Sequence, residues 1–244
     1  MDEKNPDNLY IISNKYSLSI KVRPNGYIPK SGLLLIESLN KFNFSGKSVI
    51  DIGCGETGII AHYLSSRMAT QVLGIDIDPI AINHVMNSSN ISSQINWMLG
   101  DFCSLEINQF DIMVSNPPQM PMSDINRKKL NNYHDSPGKS GQEMILNILT
   151  KSIHHLNQNG SVFMIIFDFL GIKETYNSLP SIESVVSRYG FSCDIIDTYP
   201  SVIRCGGQTE TNLPWIKHFY PKYNFIKDDT GNILYNTMVV KFQI

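Results

Sequence analysis

Asn116-Pro117-Pro118-Gln119 follows directly on the run Phe110-Asp111-Ile112-Met113-Val114-Ser115. An amine or amide NH2 can donate one N–H to an asparagine side-chain oxygen and the other to the main-chain carbonyl of the next residue. Two such acceptors aim the nitrogen lone pair and localise it as a new bond forms at nitrogen. Proline has no N–H and a fixed φ, so the Pro117 carbonyl is a rigid acceptor. The chemistry this suits is orientation and electrostatic stabilisation of a nitrogen nucleophile, without a strong base. Asn116 and Pro117 are therefore the candidate catalytic groups, with Pro118 and Gln119 as adjoining substrate contacts. Taken alone, two prolines after a strand are equally well a rigid turn.

A second cluster lies upstream. Asp51-Ile52-Gly53-Cys54-Gly55-Glu56-Thr57-Gly58 contains G-x-G-x-x-G between a strand pattern and a helix pattern. Glycines turn sharply and let a ligand approach the backbone. Asp76 ends the next strand pattern, where a carboxylate can accept both hydroxyls of a ribose. A nicotinamide dinucleotide would place its pyrophosphate at the helix N-terminus. S-adenosylmethionine has no phosphate and carries ammonium and sulfonium cations, which favour an acid in the loop. Asp51, completing D-x-G-x-G, tilts the reading to S-adenosylmethionine. Ile77 and Asn116 join the candidate cofactor contacts. So do Asp101 and Phe102, which could hold an adenine amine and ring. Asp101 could instead cap the next helix. A close-packed turn without a ligand is the alternative for the glycines.

These residues need a scaffold that brings strand ends together. Short apolar strand patterns at 48–52, 71–76, 95–99, 111–115 and 161–167 alternate with helical patterns at 57–68, 79–90, 141–156 and 178–189. Such alternation predicts an α/β, Rossmann-like domain: a mostly parallel sheet with helices on both faces. Ligands of such sheets bind beyond the carboxyl ends of the strands, which puts Asn116 beside the glycine loop. Ahead of this, Tyr16, Leu18, Ile20 and Val22 alternate as in a half-buried strand. An apolar helix over 33–39 follows, with Ser31 as its cap. We divide the chain into an N-terminal accessory segment, 1–45, and a main domain, 46–244. An irregular insertion spans about 200–223, and a hairpin of 223–227 with 233–242 closes the sheet.

The chain has 244 residues, of which 42% are hydrophobic and 17% charged, enough apolar material for a packed core. Its formal net charge of −2 lacks the basic balance of a dedicated nucleic-acid binder. No run is long enough to span a bilayer, and the polar first residues do not form a signal peptide, so a cytoplasmic location is expected. Cys54, Cys103, Cys193 and Cys205 are widely spread, without the spacing of a zinc site or a disulfide framework. They read as small buried hydrophobes, and no metal is expected.

The two motifs in their strand–helix setting resemble the class I S-adenosylmethionine-dependent methyltransferases, and among them the Asn-Pro-Pro N-methyltransferases. The likeness extends over about residues 29–169 and is greatest to the release-factor glutamine methyltransferases and their small-domain relatives. Gly26-Tyr27-Ile28-Pro29-Lys30 is similar to the proline-bearing entry segment of that group, and Gly138 and Gly141 to the glycine pair after its catalytic loop. The resemblance implies a seven-stranded sheet with the last strand antiparallel. It implies cofactor contacts from Asp51, Gly53, Gly55, Asp76, Asp101 and Phe102, and acceptor contacts from Asn116 and Pro117. The family usually completes its motif with an aromatic residue that stacks on a planar acceptor. Here Gln119 stands in that place. The platform is then lost or supplied by Tyr27 or Trp215, or Gln119 hydrogen-bonds a more polar substrate. The release-factor enzymes also carry a larger N-terminal domain than the residues preceding Lys47 allow.

The expected acceptor is a nitrogen of a small molecule, protein or peptide. An exocyclic amine of RNA or DNA is the alternative, with Lys15, Lys21, Arg23 and Lys30 as its basic surface. A catalytically silent partner subunit is the third reading. Among the remaining residues, His134 falls in the loop after Gln119 as a candidate acid or base. Arg127-Lys128-Lys129 is a solvated face or an anion contact. Of His154 and His155, only one can face the core. The aromatic and basic residues of 205–220, Trp215 among them, suit a substrate lid or an ordinary packed loop.

Overall fold

The computed structural model describes residues 9–13, 15, 18–22, 30–88, 95–104, 106, 108–129 and 137–244. The elements begin with β1 (Leu9–Ser13), β2 (Leu18–Val22), α1 (Lys30–Leu39), β3 (Ser48–Ile52), α2 (Ile59–Ser66), β4 (Gln71–Asp76), α3 (Pro79–Ser88), β5 (Ile95–Leu99) and β6 (Phe110–Ser115). They continue with α4 (Asp124–Arg127), α5 (Glu143–Ser152), β7 (Leu156–Phe167), α6 (Ile182–Val186), β8 (Ser192–Val202), α7 (Gln208–Phe219), β9 (Ile226–Lys227) and β10 (Ile233–Gln243).

The main sheet runs β5-β4-β3-β6-β7-β10-β8, with the two-residue β9 hydrogen-bonded to β10. Pairing is parallel from β5 to β7, whereas β10 is antiparallel to both β7 and β8. This is the expected mostly parallel sheet with its last long strand reversed, and β9–β10 is the expected hairpin. The winding order reverses between β3 and β6, where open α/β sheets place their ligand crevice.

Strand residues alternate between two apolar layers, because successive side chains point to opposite faces. Ile50, Met113, Val162, Met164, Ile166 and Val240 pack with Ile145, Ile148 and Leu149 of α5 on one face. Val49, Val114, Phe163, Ile165 and Val239 pack with Leu35, Ile36 and Leu39 of α1 on the other. Leu18 and Ile20 of β2 and the apolar residues of α2 join this second layer. Under that cover α2 is buried from Ile59 to Ser65.

Two expectations need correction, and one strand was not anticipated. Ser31 is not a cap: α1 begins at Lys30 and takes Ser31 into its first turn. The chain after α6 forms β8, an edge strand whose pairing with β10 slips at Val239/Val240. Asp194, Asp197 and Pro200, with one face exposed, mask its period, as edge strands commonly do. The region read as an irregular insertion contains the helix α7, with Pro214 inside it. Only Asn212 and Ile216 of α7 are buried, one of them polar, so no apolar stripe marks the helix.

Candidate active site

Register assembles the crevice. Ile52 of β3 pairs with Ile75 of β4 and with Ser115 of β6, and Asp76 pairs with Leu99 of β5. The residues just past these pairs are Gly53, Ile77, Gly100 and Asn116. Adjacent strands lie about 5 Å apart, so all four predicted segments meet along one edge of the sheet.

The glycine loop is fixed to β4. Gly53 N–H donates to the Ile75 carbonyl at 2.8 Å, and Gly55 N–H to Asp76 Oδ2 at 2.8 Å. Gly53 and Gly55 adopt φ of +73° and +62°, and a Cβ on either would stand in open space. The loop thus leaves a cradle that side chains would fill, at positions where side chains are also strained. Asp76 Oδ1 accepts from Asp78 N–H at 2.9 Å, so two main-chain donors hold its carboxylate at the crevice. Ile77 is exposed beside it.

Asp51 is fully buried beneath this loop. Its Oδ2 accepts from Ala61 N–H at 3.0 Å, whereas Oδ1 has no hydrogen-bond partner. Burial pushes the carboxyl up to about 7; the Ala61 bond opposes this, and the charge of Asp76 adds to it. A buried carboxylate with a free oxygen, beside a second carboxylate and under an open glycine cradle, fits a ligand that carries positive charge. S-adenosylmethionine meets that condition, whereas a pyrophosphate does not.

At the β5 edge, among the described residues no helix follows Asp101 before β6 for it to cap; its oxygens instead close a turn, accepting from Cys103 N–H at 3.0 Å and Ser104 O–H at 2.8 Å. The Phe102 ring packs into the core, edge-on to His155 at 5.9 Å, rather than on the crevice surface.

Asn116 is half-buried at the end of β6, and its Oδ1 accepts from the Ser31 hydroxyl at 3.1 Å. Sequence reasoning missed this role of Ser31. The signal was Ser31 sitting next to the proline-bearing segment, but that position reads more simply as a helix cap. Pro117 is buried and Pro118 half-buried. The Gln119 side chain is not the substrate contact anticipated for it. It is 4% exposed, and its amide is bound to the backbone of β7 at Ile165 and Phe167.

Helix α7 covers the segment that follows. Trp215 Nε1 donates to the Lys139 carbonyl at 2.9 Å, Asn126 Nδ2 to Asn212 Oδ1 at 2.9 Å, and the Tyr220 hydroxyl to the Ser140 carbonyl. Trp215 is thereby tied to the turn at 138–141, over the chain beyond Gln119. Arg127 pairs with Asp124 at 3.1 Å. His155 is buried and His154 exposed, both beyond the end of α5. Cys54 and Cys193 are buried, Cys103 half-buried and Cys205 exposed. Tyr27 and His134 lie outside the described residues. Among the described residues, no helix is long and apolar enough to cross a membrane.

The family model of the methyltransferase small domain matches residues 25–193. A Methanocaldococcus jannaschii protein, provisionally named a protein N5-glutamine methyltransferase, is 27% identical over 167 residues, 66% of this chain and 82% of that one. The release factor glutamine methyltransferase of Rhodopirellula baltica is 28% identical over 167 residues, and the match spans only 56% of that enzyme. In fold, the T. thermophilus 16S rRNA N2 G1207 methyltransferase, solved with S-adenosylmethionine and guanosine, superposes with a TM-score of 0.54 at 16% identity. That match covers 78% of this chain and 47% of that one. The ribosomal protein L11 methylase of Lactobacillus delbrueckii superposes with a TM-score of 0.51 at 17% identity, over 90% and 81% of the two chains. Since the family match takes in α1, the glycine loop and the Asn-Pro-Pro turn together, the chain belongs to the methyltransferase small domain family and is an S-adenosylmethionine-dependent methyltransferase.

Proposed function

We propose that the methyl acceptor is a nitrogen, most simply a side-chain amide of a protein or peptide, held by Asn116 and Pro117. The observation that carries this reading is the Ile52–Ser115 register, which sets Asn116 one strand away from Gly53. Asp51, Gly53, Gly55 and Asp76 would hold the cofactor, with the chain around Ile77 and Asp101 at its far end. When bound, S-adenosylmethionine supplies an electrophilic methyl carbon whose leaving group is a neutral thioether.

The chain's own residues then have three tasks. Asn116 Oδ1 and the Pro117 carbonyl accept the two N–H bonds of the acceptor and direct its lone pair toward the crevice. Ser31 keeps the Asn116 oxygen turned to the site, so the accessory segment 1–45 serves catalysis through α1. A rigid acceptor pair means that orientation and electrostatics carry the rate; as the methyl–sulfur bond breaks and the nitrogen–carbon bond forms, the nitrogen becomes acidic and sheds one N–H proton to water, so no strong base is required. An amide is favoured because relatives 27% and 28% identical to this chain are named for glutamine methylation, and because Gln119 offers no ring for a planar base. Of the basic residues considered for a nucleic acid, Lys15 is bonded to Glu37 at 2.6 Å.

Incubation with isotope-labelled S-adenosylmethionine and fractionated extract tests the reading. Label is expected in protein and lost in Asn116→Ala. Label confined to RNA or DNA would overturn the acceptor class. Undiminished transfer by Asn116→Ala would remove that residue from its role.

A further inference from the structure

Gln119 occupies the motif position where the resemblance implies an aromatic ring, and its carboxamide is fully engaged. Nε2 donates to the Ile165 carbonyl at 2.7 Å, and Oε1 accepts from Phe167 N–H at 2.8 Å. A residue of a parallel strand facing Ile166 would make the same pair of bonds, its N–H to the carbonyl before and its C=O from the N–H after. Such a strand residue is missing. Paired contact of β6 with β7 ends at Ser115–Met164, and Pro117 and Pro118 have no N–H to prolong it. On its other side β7 is covered by β10, which pairs with it as far as Thr237–Phe167. Without Gln119, the buried Ile165 carbonyl and the half-buried Phe167 N–H would lose these partners.

Nε2 also stands 3.5 Å from the Pro117 carbonyl oxygen, at the limit of a hydrogen bond but on the group that the acceptor nitrogen needs. The Gln119 main-chain carbonyl is hemmed in from the other side by Gly141, at φ +81°, where any side chain would collide with it.

We infer that Gln119 is a positioning residue: its carboxamide substitutes for absent strand backbone, splices the Asn-Pro-Pro turn onto β7, and sets the direction of the Pro117 carbonyl. The effect on turnover rests on the proposed role of Pro117 toward the acceptor; the splice itself does not. As a consequence, position 119 gives no stacking face, and the acceptor nitrogen is selected by hydrogen bonding alone at this point of the site.

Two variants separate the possibilities. Gln119→Leu keeps the approximate size and removes both bonds. Gln119→Glu keeps the shape and can accept from Phe167 N–H, but regains a donor for Ile165 only when protonated. The probe is the full chain saturated with S-adenosylmethionine and labelled with carbon-13 at proline carbonyls, compared with wild type at each pH. The Pro117 carbonyl resonance is expected to move in both variants at pH 8. It should return toward the wild-type position in Gln119→Glu on acidification and stay displaced in Gln119→Leu. Amide exchange at Phe167 should quicken by about tenfold or more in Gln119→Leu, with the cofactor Kd unchanged. On the labelled acceptor fraction, kcat should fall about 10- to 100-fold, with the same rescue of Gln119→Glu by acid. Should Gln119→Leu fail to fold, the acid rescue of Gln119→Glu still decides. A Pro117 resonance and Phe167 exchange matching wild type in the folded variants would overturn the proposal. If both move as expected while wild type methylates no fraction, the nitrogen-transfer reading fails and the positioning role stands.

Discussion

As the proposed partner of the cofactor's positive charge, Asp51 should make cofactor binding a titration. Its carboxyl is pushed up to about 7 because burial disfavours the charged form. A cationic ligand requires the ionised form. With a pKa near 7, about 3% of the free protein is ionised at pH 5.5 and about half at pH 7. The apparent affinity for S-adenosylmethionine should therefore rise about 15-fold across that interval, about 1.6 kcal/mol. The window closes at pH 7 because the ligand's own α-amino group begins to lose its proton near pH 7.7. Cys54, whose thiol burial holds well above its usual range, does not titrate there. Calorimetry in two buffers of different ionisation enthalpy reads both quantities. Near one proton should be released per ligand bound at pH 5.5, and about half a proton at pH 7. Asp51→Asn, which cannot ionise, should bind more weakly at pH 7 and show no slope. A wild-type affinity flat across the interval, or the same slope in Asp51→Asn, would refute an ionised Asp51 as the cation's partner.

The same carboxyl governs the stability of the ligand-free chain. The folded state keeps the proton to about pH 7 and the unfolded chain releases it near 4, so folding binds protons between these values and stability falls as pH rises through them. The loss is at most about 4 kcal/mol, and denaturant melts at pH 5 and pH 8 should show it shrinking in Asp51→Asn. Ser31→Ala removes the only donor seen on Asn116 Oδ1 among the described residues; kcat should fall about 3- to 10-fold with cofactor affinity and melting temperature little changed. An unaltered kcat would leave Ser31 as a helix residue only. Gly141→Ala combines a left-handed φ of +81° with a collision against the Gln119 carbonyl. It should cost about 2 kcal/mol or more in denaturant melts, and a loss under 0.5 kcal/mol would show that the chain there can move aside.

What could be read from the sequence was what is encoded locally. The strands at Ser48–Ile52, Gln71–Asp76 and Ile95–Leu99 are bounded as the apolar runs predict, and the carboxyl-end acids and glycines fall where the pattern puts them. Each is a short buried segment with turn residues at its end, so neighbours in sequence suffice to define it. Strand β8 and helix α7 lack that property. They lie where one side faces solvent and the stabilising partners are distant: β10 for one, and the turn at 138–141 for the other.

The active-site turn shows the same division within a few residues. The place of Asn116 and Pro117 at the end of β6 was legible because it follows from the apolar strand that precedes them. Gln119 was misread because its role is set by what β7 lacks there. The need arises where two prolines end a ladder whose other strand runs on to Phe167, and the carboxamide meets it across 46 residues to Ile165. Ser31 reaches Asn116 across 85 residues in the same way. An aromatic residue at position 119 could not make the pair of bonds to Ile165 and Phe167. Its ring would have to leave the cavity that the carboxamide fills, or the end of β7 would have to rearrange. The exchange of ring for amide thus changes two things at once, how the turn is supported and what the acceptor meets. A Gln119→Tyr variant should therefore lose the Phe167 protection rather than acquire a working platform, and retained protection with improved turnover would show that the two supports are interchangeable.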